Sequence, residues 1–139
     1  MIYLTRRERF SAAHRMFRHE WTDEKNLEVF GKCSNPNWHG HNYELFVTVK
    51  GKISEDHGFV INMTTLKHII LEKVIQKIDH KNMNLEVEFM KGRIATTENL
   101  AIAIWDELKP AIEQQGAILH CVRIEETENN SIEYYGKEN

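Results

Sequence analysis

His39 and His41 stand two residues apart in the stretch "KCSNPNWHGHNYELFVTVK", with Cys33 six positions upstream of His39. Side chains two apart on a strand share a face, so the two imidazoles point the same way, in phase with Tyr43, Leu45, Val47 and Val49. His14 is in phase with Phe10 and Ala12 on another extended run. Three neutral imidazoles from two strands, converging on an apolar-walled spot, have the chemistry of a zinc site with one open position. An H-x-H pair alone is a weak signal, and the convergence with His14 depends on strand phase. His19, His57, His68 and His120 are read as surface or hydrogen-bonded histidines.

Three further groups could act beside such a site. Cys33 lies next to Lys32 and ahead of the turn-like "SNPN"; an accessible thiol beside a cation is in a setting that favours the thiolate. Cys121, in mid-strand, reads as a small buried hydrophobe. Asp79 and His80 adjoin in a loop past a helix end, where an acid can orient a histidine that activates a thiol; solvated charges at a helix end suit the same residues. Glu126 continues the apolar face of Ile118, His120, Val122 and Ile124. A carboxylate on an inward face must be paired, and as a pocket floor it suits a ligand presenting two N–H groups; a strand ending before Glu126 would leave it solvated instead. Thr96, Thr97 and Glu98 are first of all helix-capping residues, and their hydroxyls and the adjoining amides could also meet a ligand.

The elements that must hold these groups follow from periodicity. Residues 1–14 and 43–50 read as strands, 59–62 ("FVIN") as the returning strand of a hairpin, and 118–126 and "SIEYYG" as a final pair. Residues 22–30 form a short helix capped by Thr22 and ended by Gly31. Residues 64–78 carry Leu66, Ile69, Ile70, Val74 and Ile78 at helical spacing, capped by Asn62 or Thr64. A second long helix runs from about 97 to 115, with Leu100, Ala101, Ile104, Trp105, Leu108 and Ile112 as its stripe and Gly116 after it; Pro110 predicts a kink or an early stop. Gly58 is expected at positive φ in the turn "SEDHG". This order argues an α+β fold with an antiparallel sheet, whose open edges oligomerisation would cover.

With 139 residues, 41% hydrophobic and 28% charged, the chain is expected to form one domain over residues 1–139. A net charge of -3 argues against a nucleic-acid partner. No apolar run suits a membrane span, and the start "MIYLTRRERF" predicts no secretory signal. Two cysteines make no disulfide framework and fit a reducing, cytoplasmic setting.

Taken together, "FSAAHR", "FGKCSNPNWHGHNY", "IDHKNMN", "ATTENLA" and "IEETENN" resemble, in order and spacing, the segments of 6-pyruvoyltetrahydropterin synthases over roughly residues 8 to 136. The resemblance implies the tunnelling fold: a four-stranded antiparallel sheet with two helices on one face, three sheets closing into a barrel and two trimers stacking into a hexamer, with active sites between subunits. It implies zinc on His14, His39 and His41, a catalytic thiol at Cys33, an Asp79–His80 pair donated by a neighbouring subunit, a pterin anchor at Glu126 and further pterin contacts at Thr96, Thr97 and Glu98. The implied reaction takes 7,8-dihydroneopterin triphosphate to 6-pyruvoyltetrahydropterin with loss of triphosphate. The alternative within the resemblance is 6-carboxytetrahydropterin synthesis for queuosine, from the same substrate and releasing acetaldehyde. The five residues between Cys33 and His39 favour the pyruvoyl branch. Trp38 is a departure, since glycine often stands there in animal enzymes, and an indole beside a metal ligand could narrow the pocket. Readings from other classes are a zinc-stabilised binding module without catalysis and hydrolysis by a zinc-bound water, which would survive loss of Cys33. The residues meeting the triphosphate are not chosen among Arg15, Lys32 and Lys81.

Overall fold

A computed structural model describes residues 1–138; Asn139, the last residue of the expected domain, lies outside the described residues. The elements run β1 (Ile2–His14), α1 (Asp23–Phe30), β2 (His39–Gly51), α2 (Met63–Ile70), a π-helical turn (Leu71–Ile75), α3 (Gln76–Ile78), β3 (Lys81–Asn82), α4 (Thr97–Gln114), β4 (Ile118–Thr127) and β5 (Asn130–Tyr134), with short 3₁₀ turns at Gly31–Ser34 and Glu88–Met90. The sheet order is β3-β1-β2-β4-β5. The four long strands pair antiparallel, as expected. The sheet gains a fifth, two-residue strand, because Lys81–Asn82 pairs parallel with Ala12–Ala13 of β1.

One face of the sheet carries the core. Tyr43, Leu45, Val47 and Val49 of β2 are buried to 1% exposure or less, alternating with the outward Glu44, Phe46 and Thr48. They pack against Leu66, Ile70, Val74 and Ile78 from the α2–α3 run and against Leu100, Ile104, Leu108 and Ile112 of α4. Burying each such aliphatic side chain contributes about 1.5–3 kcal/mol, so this face decides the phase of every inward residue. The outward face carries ion pairs, such as Arg7 to Glu44 at 2.8 Å, and Phe46 flanked by the Arg7 and Arg123 guanidinium groups.

Caps follow the sequence. The Thr22 hydroxyl accepts from the Lys25 amide, Asn62 accepts from the amides of Thr64 and Thr65, and Thr96 accepts from Asn99. The expected helix over 64–78 is one helical run interrupted by the π turn. Pro110 neither stops nor shortens α4, which continues to Gln114. Its missing N–H would have met the Asp106 carbonyl, and Asp106 is exposed, where water can serve instead.

Two expectations are corrected. Residues 59–62 form no strand: β1 and β4 already occupy both edges of β2. The segment instead folds under the sheet, with Ile61 in the core and a Val60 methyl against Gly51. Second, β4 does not keep one phase from Ile118 to Glu126. Thr48 pairs with Cys121 but Val49 pairs with Leu119, leaving His120 as an extra, bulged residue. Leu119 therefore faces inward with Val122 and Ile124, and Ile118 is exposed.

Candidate metal centre

β1 and β2 pair in a register that sets His14 opposite His39 and Ala12 opposite His41. Gly40 between the two histidines eases the pairing, because a Cβ there would stand in tight contact, 3.3 Å from the Ala12 carbonyl oxygen. The three imidazoles converge as expected: one nitrogen from each lies within 4.8 Å of the others. Nitrogens in a tetrahedral zinc site, at 2.0–2.1 Å from the ion, stand about 3.4 Å apart, within the 4.8 Å bound seen here.

The donor set fits a cation. His14, at 1% exposure, donates its Nδ1–H to the Ala95 carbonyl at 2.7 Å, which leaves Nε2 with a free lone pair. His14 Nε2, His41 Nε2 and His39 Nδ1 are buried polar atoms without hydrogen-bond partners. Burial lowers the His14 pKa against the pull of the Ala95 carbonyl, and the neighbouring imidazoles add to the lowering. Burial and then His41 lower that of His39. Orphaned and convergent imidazole nitrogens are what a metal ion requires of its ligands.

Glu126 joins this cluster. It is an extra residue in the β4–β5 pairing, between the pairs Glu125–Ser131 and Thr127–Asn130, and such bulges re-aim side chains. Its Oε2 accepts from the buried Thr97 hydroxyl at 2.8 Å, while Oε1 stands 3.0 Å from His41 Nε2 and 3.8 Å from His14 Nε2. The approach to His41 has the distance of a hydrogen bond without its alignment, since Nε2 is left unpartnered. The side chain is 26% exposed, so the carboxylate lies at the edge of the core within reach of a ligand. Thr97 is thus brought to Glu126, Thr96 caps α4 beside it, and Glu98 points to solvent in the same first turn.

Cys33 sits half-buried in the 3₁₀ turn after α1, and Cys33 and Cys121 are both free thiols. Its carbonyl accepts from the Met16 amide at 2.8 Å, which ties the turn to the chain just past His14, and Arg15 Nε donates to the Ser34 carbonyl beside it. Asp79 and His80 are elsewhere. Asp79 Oδ1 accepts from the Ser11 amide at 2.9 Å and lies 3.1 Å from His80 Nδ1, and the His80 side chain is 83% exposed beside an open groove with Ser11 and Asn42. Ser11 stands three residues before the end of β1 at His14, about 10 Å at strand rise, and among the described residues no hydrogen bond or ion pair joins Asp79 or His80 to Cys33. His80 also has φ 61 and Trp38 φ 64, left-handed values that non-glycine residues seldom adopt.

Sequence reading missed two participants. The Ala95 carbonyl that holds His14 leaves no mark in a residue code. Tyr43 was signalled by its phase with His39 and His41, but as a core residue; its hydroxyl is buried without a partner.

Among the described residues, no helix is long and apolar enough to cross a membrane. A family model described as 6-pyruvoyl tetrahydropterin synthase matches residues 3–137. The chain is 47% identical over 136 residues, 98% of its length and 97% of the relative's, to a Dictyostelium discoideum protein named 6-pyruvoyl tetrahydrobiopterin synthase. An Archaeoglobus fulgidus protein named putative 6-carboxy-5,6,7,8-tetrahydropterin synthase is 33% identical, over 86% of this chain and 84% of that one. The solved structure of Caenorhabditis elegans 6-pyruvoyl tetrahydropterin synthase superposes with a TM-score of 0.90 at 38% identity, covering 98% of this chain and 96% of that one.

Proposed function

This chain belongs to the 6-pyruvoyl tetrahydropterin synthase family, and from that membership we propose that it converts 7,8-dihydroneopterin triphosphate to 6-pyruvoyltetrahydropterin, acting as a lyase that expels triphosphate. The observation that carries this reading is the cluster of three orphaned imidazole nitrogens with the Glu126 carboxylate 3.0 Å from one of them. Three candidate metal ligands and a carboxylate able to accept two N–H bonds lie side by side there.

Each residue is given one task. Glu126, held by the Thr97 hydroxyl, accepts from the 2-amino group and N3–H of the pterin. Thr96 and Glu98 line the same end of α4 as further pterin contacts. His14, His39 and His41 hold zinc, which supplies Lewis-acid polarisation of the substrate's side-chain oxygens when bound. Cys33, as thiolate, takes a proton from a side-chain carbon. Asp79 orients His80, and His80 carries protons to and from that thiol. The ring is reduced as the side chain is oxidised, so no external redox partner is needed. Because no contact joins Asp79 or His80 to Cys33 within one chain, the pair serves the thiol of a neighbouring subunit. A hexamer built from two trimers supplies that neighbour and covers the open outer edge of β5. The left-handed φ of His80 supports an active role, since such strained positions cluster where chemistry is done. Residues 1–139 act as one such domain, in a cytoplasmic setting that suits two free thiols.

Incubating the zinc-loaded protein with 7,8-dihydroneopterin triphosphate and weighing the products tests the reading. The pyruvoyl product with triphosphate supports it. The carboxy product with acetaldehyde replaces it with the alternative branch, and an unconsumed substrate removes it.

A further inference from the structure

Tyr43 is 1% exposed and its hydroxyl is buried without a hydrogen-bond partner. An orphaned buried O–H costs about 1–3 kcal/mol, a cost that a phenylalanine at this position would avoid. The ring is fixed: it stacks on its cross-strand neighbour Phe10 at 4.9 Å and 14°, and it meets the His41 ring edge-on at 5.6 Å. On its other side, the pairing of Glu44 with Glu125 sets Tyr43 beside Glu126 on the inward face. The ring also meets His14 edge-on at 6.3 Å, so it lies against the same two imidazoles that Glu126 Oε1 approaches.

Glu126 has a matching need. Its Oε2 is held by Thr97, but Oε1 has only the unaligned approach to His41 Nε2. A metal on the histidines claims that nitrogen and leaves Oε1 without a donor from the protein. We infer that Tyr43 is a positioning residue for Glu126: in the metal-loaded protein its O–H donates to Oε1 while Thr97 donates to Oε2, fixing the carboxylate edge that accepts the ligand's two N–H groups. One hydrogen bond then satisfies both orphans. The inference deepens the pterin-anchoring reading of Glu126 and rests on it for its binding arm alone.

The test uses Tyr43→Phe, which keeps the ring and its stack. With zinc loaded, neopterin binding followed by fluorescence weakens about tenfold, with one metal per chain retained. In a Glu126→Gln background the same change weakens binding by less than about twofold, since the carboxylate it positions is gone. Melting gives the arm that needs no pterin: metal-free Tyr43→Phe melts at or above the parent, whereas zinc-loaded Tyr43→Phe melts below the zinc-loaded parent. A merely structural hydroxyl would shift both forms alike. Equal shifts with and without zinc, parental neopterin affinity, or an undiminished loss in the Glu126→Gln background each overturns the inference. If the parent itself binds no neopterin, the pterin reading falls while the melting comparison still decides the role of Tyr43.

Discussion

Cys33→Ala should separate chemistry from binding. The turn around Cys33 is held through backbone groups, by the Met16 amide and the Arg15 side chain on the Ser34 carbonyl. Fold and zinc content should therefore persist while turnover falls by about 10²–10⁴; near-parental turnover would favour metal-bound water as the reactive group. Trp38 allows a second test. Its φ of 64 costs a side-chain-bearing residue roughly 1–2 kcal/mol, so Trp38→Gly should raise stability by a fraction of that in urea denaturation, the added freedom of the unfolded glycine taking back part. A stability loss would show that indole packing outweighs the backbone strain. Period-two counting made His14, His39 and His41 legible, because the sheet buries one face and fixes every inward side chain. It could not reveal the task of Tyr43, since phase tells which way a side chain leaves the strand and not what its far end meets.

Asp79 couples an element to an edge. Its carboxyl is held below the ordinary carboxylate range first by the Ser11 amide and then by His80, which ties the end of the α2–α3 run to β1. A lowered folded-state pKa stabilises the fold above the unfolded value, near 3.9, and the contribution is lost as pH falls through the folded one. Asp79→Asn should flatten the acid limb of the stability–pH curve below about pH 4, followed by thermal melts, with little change in shape above pH 5. An unchanged acid limb would mean that the contact adds nothing to stability. The long helices were legible because Leu66, Ile70, Leu100, Ile104 and Ile112 recur at helical spacing and are all buried. The segment 59–62 misled because a short apolar run suits a strand or a tucked loop equally, and only the full sheet order decides between them. The bulges at His120 and Glu126 escaped because an extra residue looks like every other residue until its partner strand is known.

Across the whole molecule, the separation of Asp79–His80 from Cys33 within one chain makes a mixing experiment decisive. Cys33→Ala and His80→Ala, each inactive alone, should regain a fraction of parental activity when unfolded together and reassembled, because mixed assemblies contain some sites with both groups intact. No recovery, in assemblies whose mixed composition is verified by mass, would confine each site to one subunit. The open sheet edges were legible from the strand count; the number of copies in the proposed assembly was not, since an open edge marks where pairing can occur without fixing how many copies join. His120 has a consequence for how this chain tolerates change. Removing one residue elsewhere in β4 would turn either Leu119 or Glu126 to the wrong side. Removing His120 would regularise the ladder, with Cys121 opposite Thr48 and Leu119 opposite Val49 as they are now, at the loss of its ring contacts with Tyr3 and Tyr135. The strand thus contains one slack link, where a single deletion would leave the chemistry a few residues downstream in place.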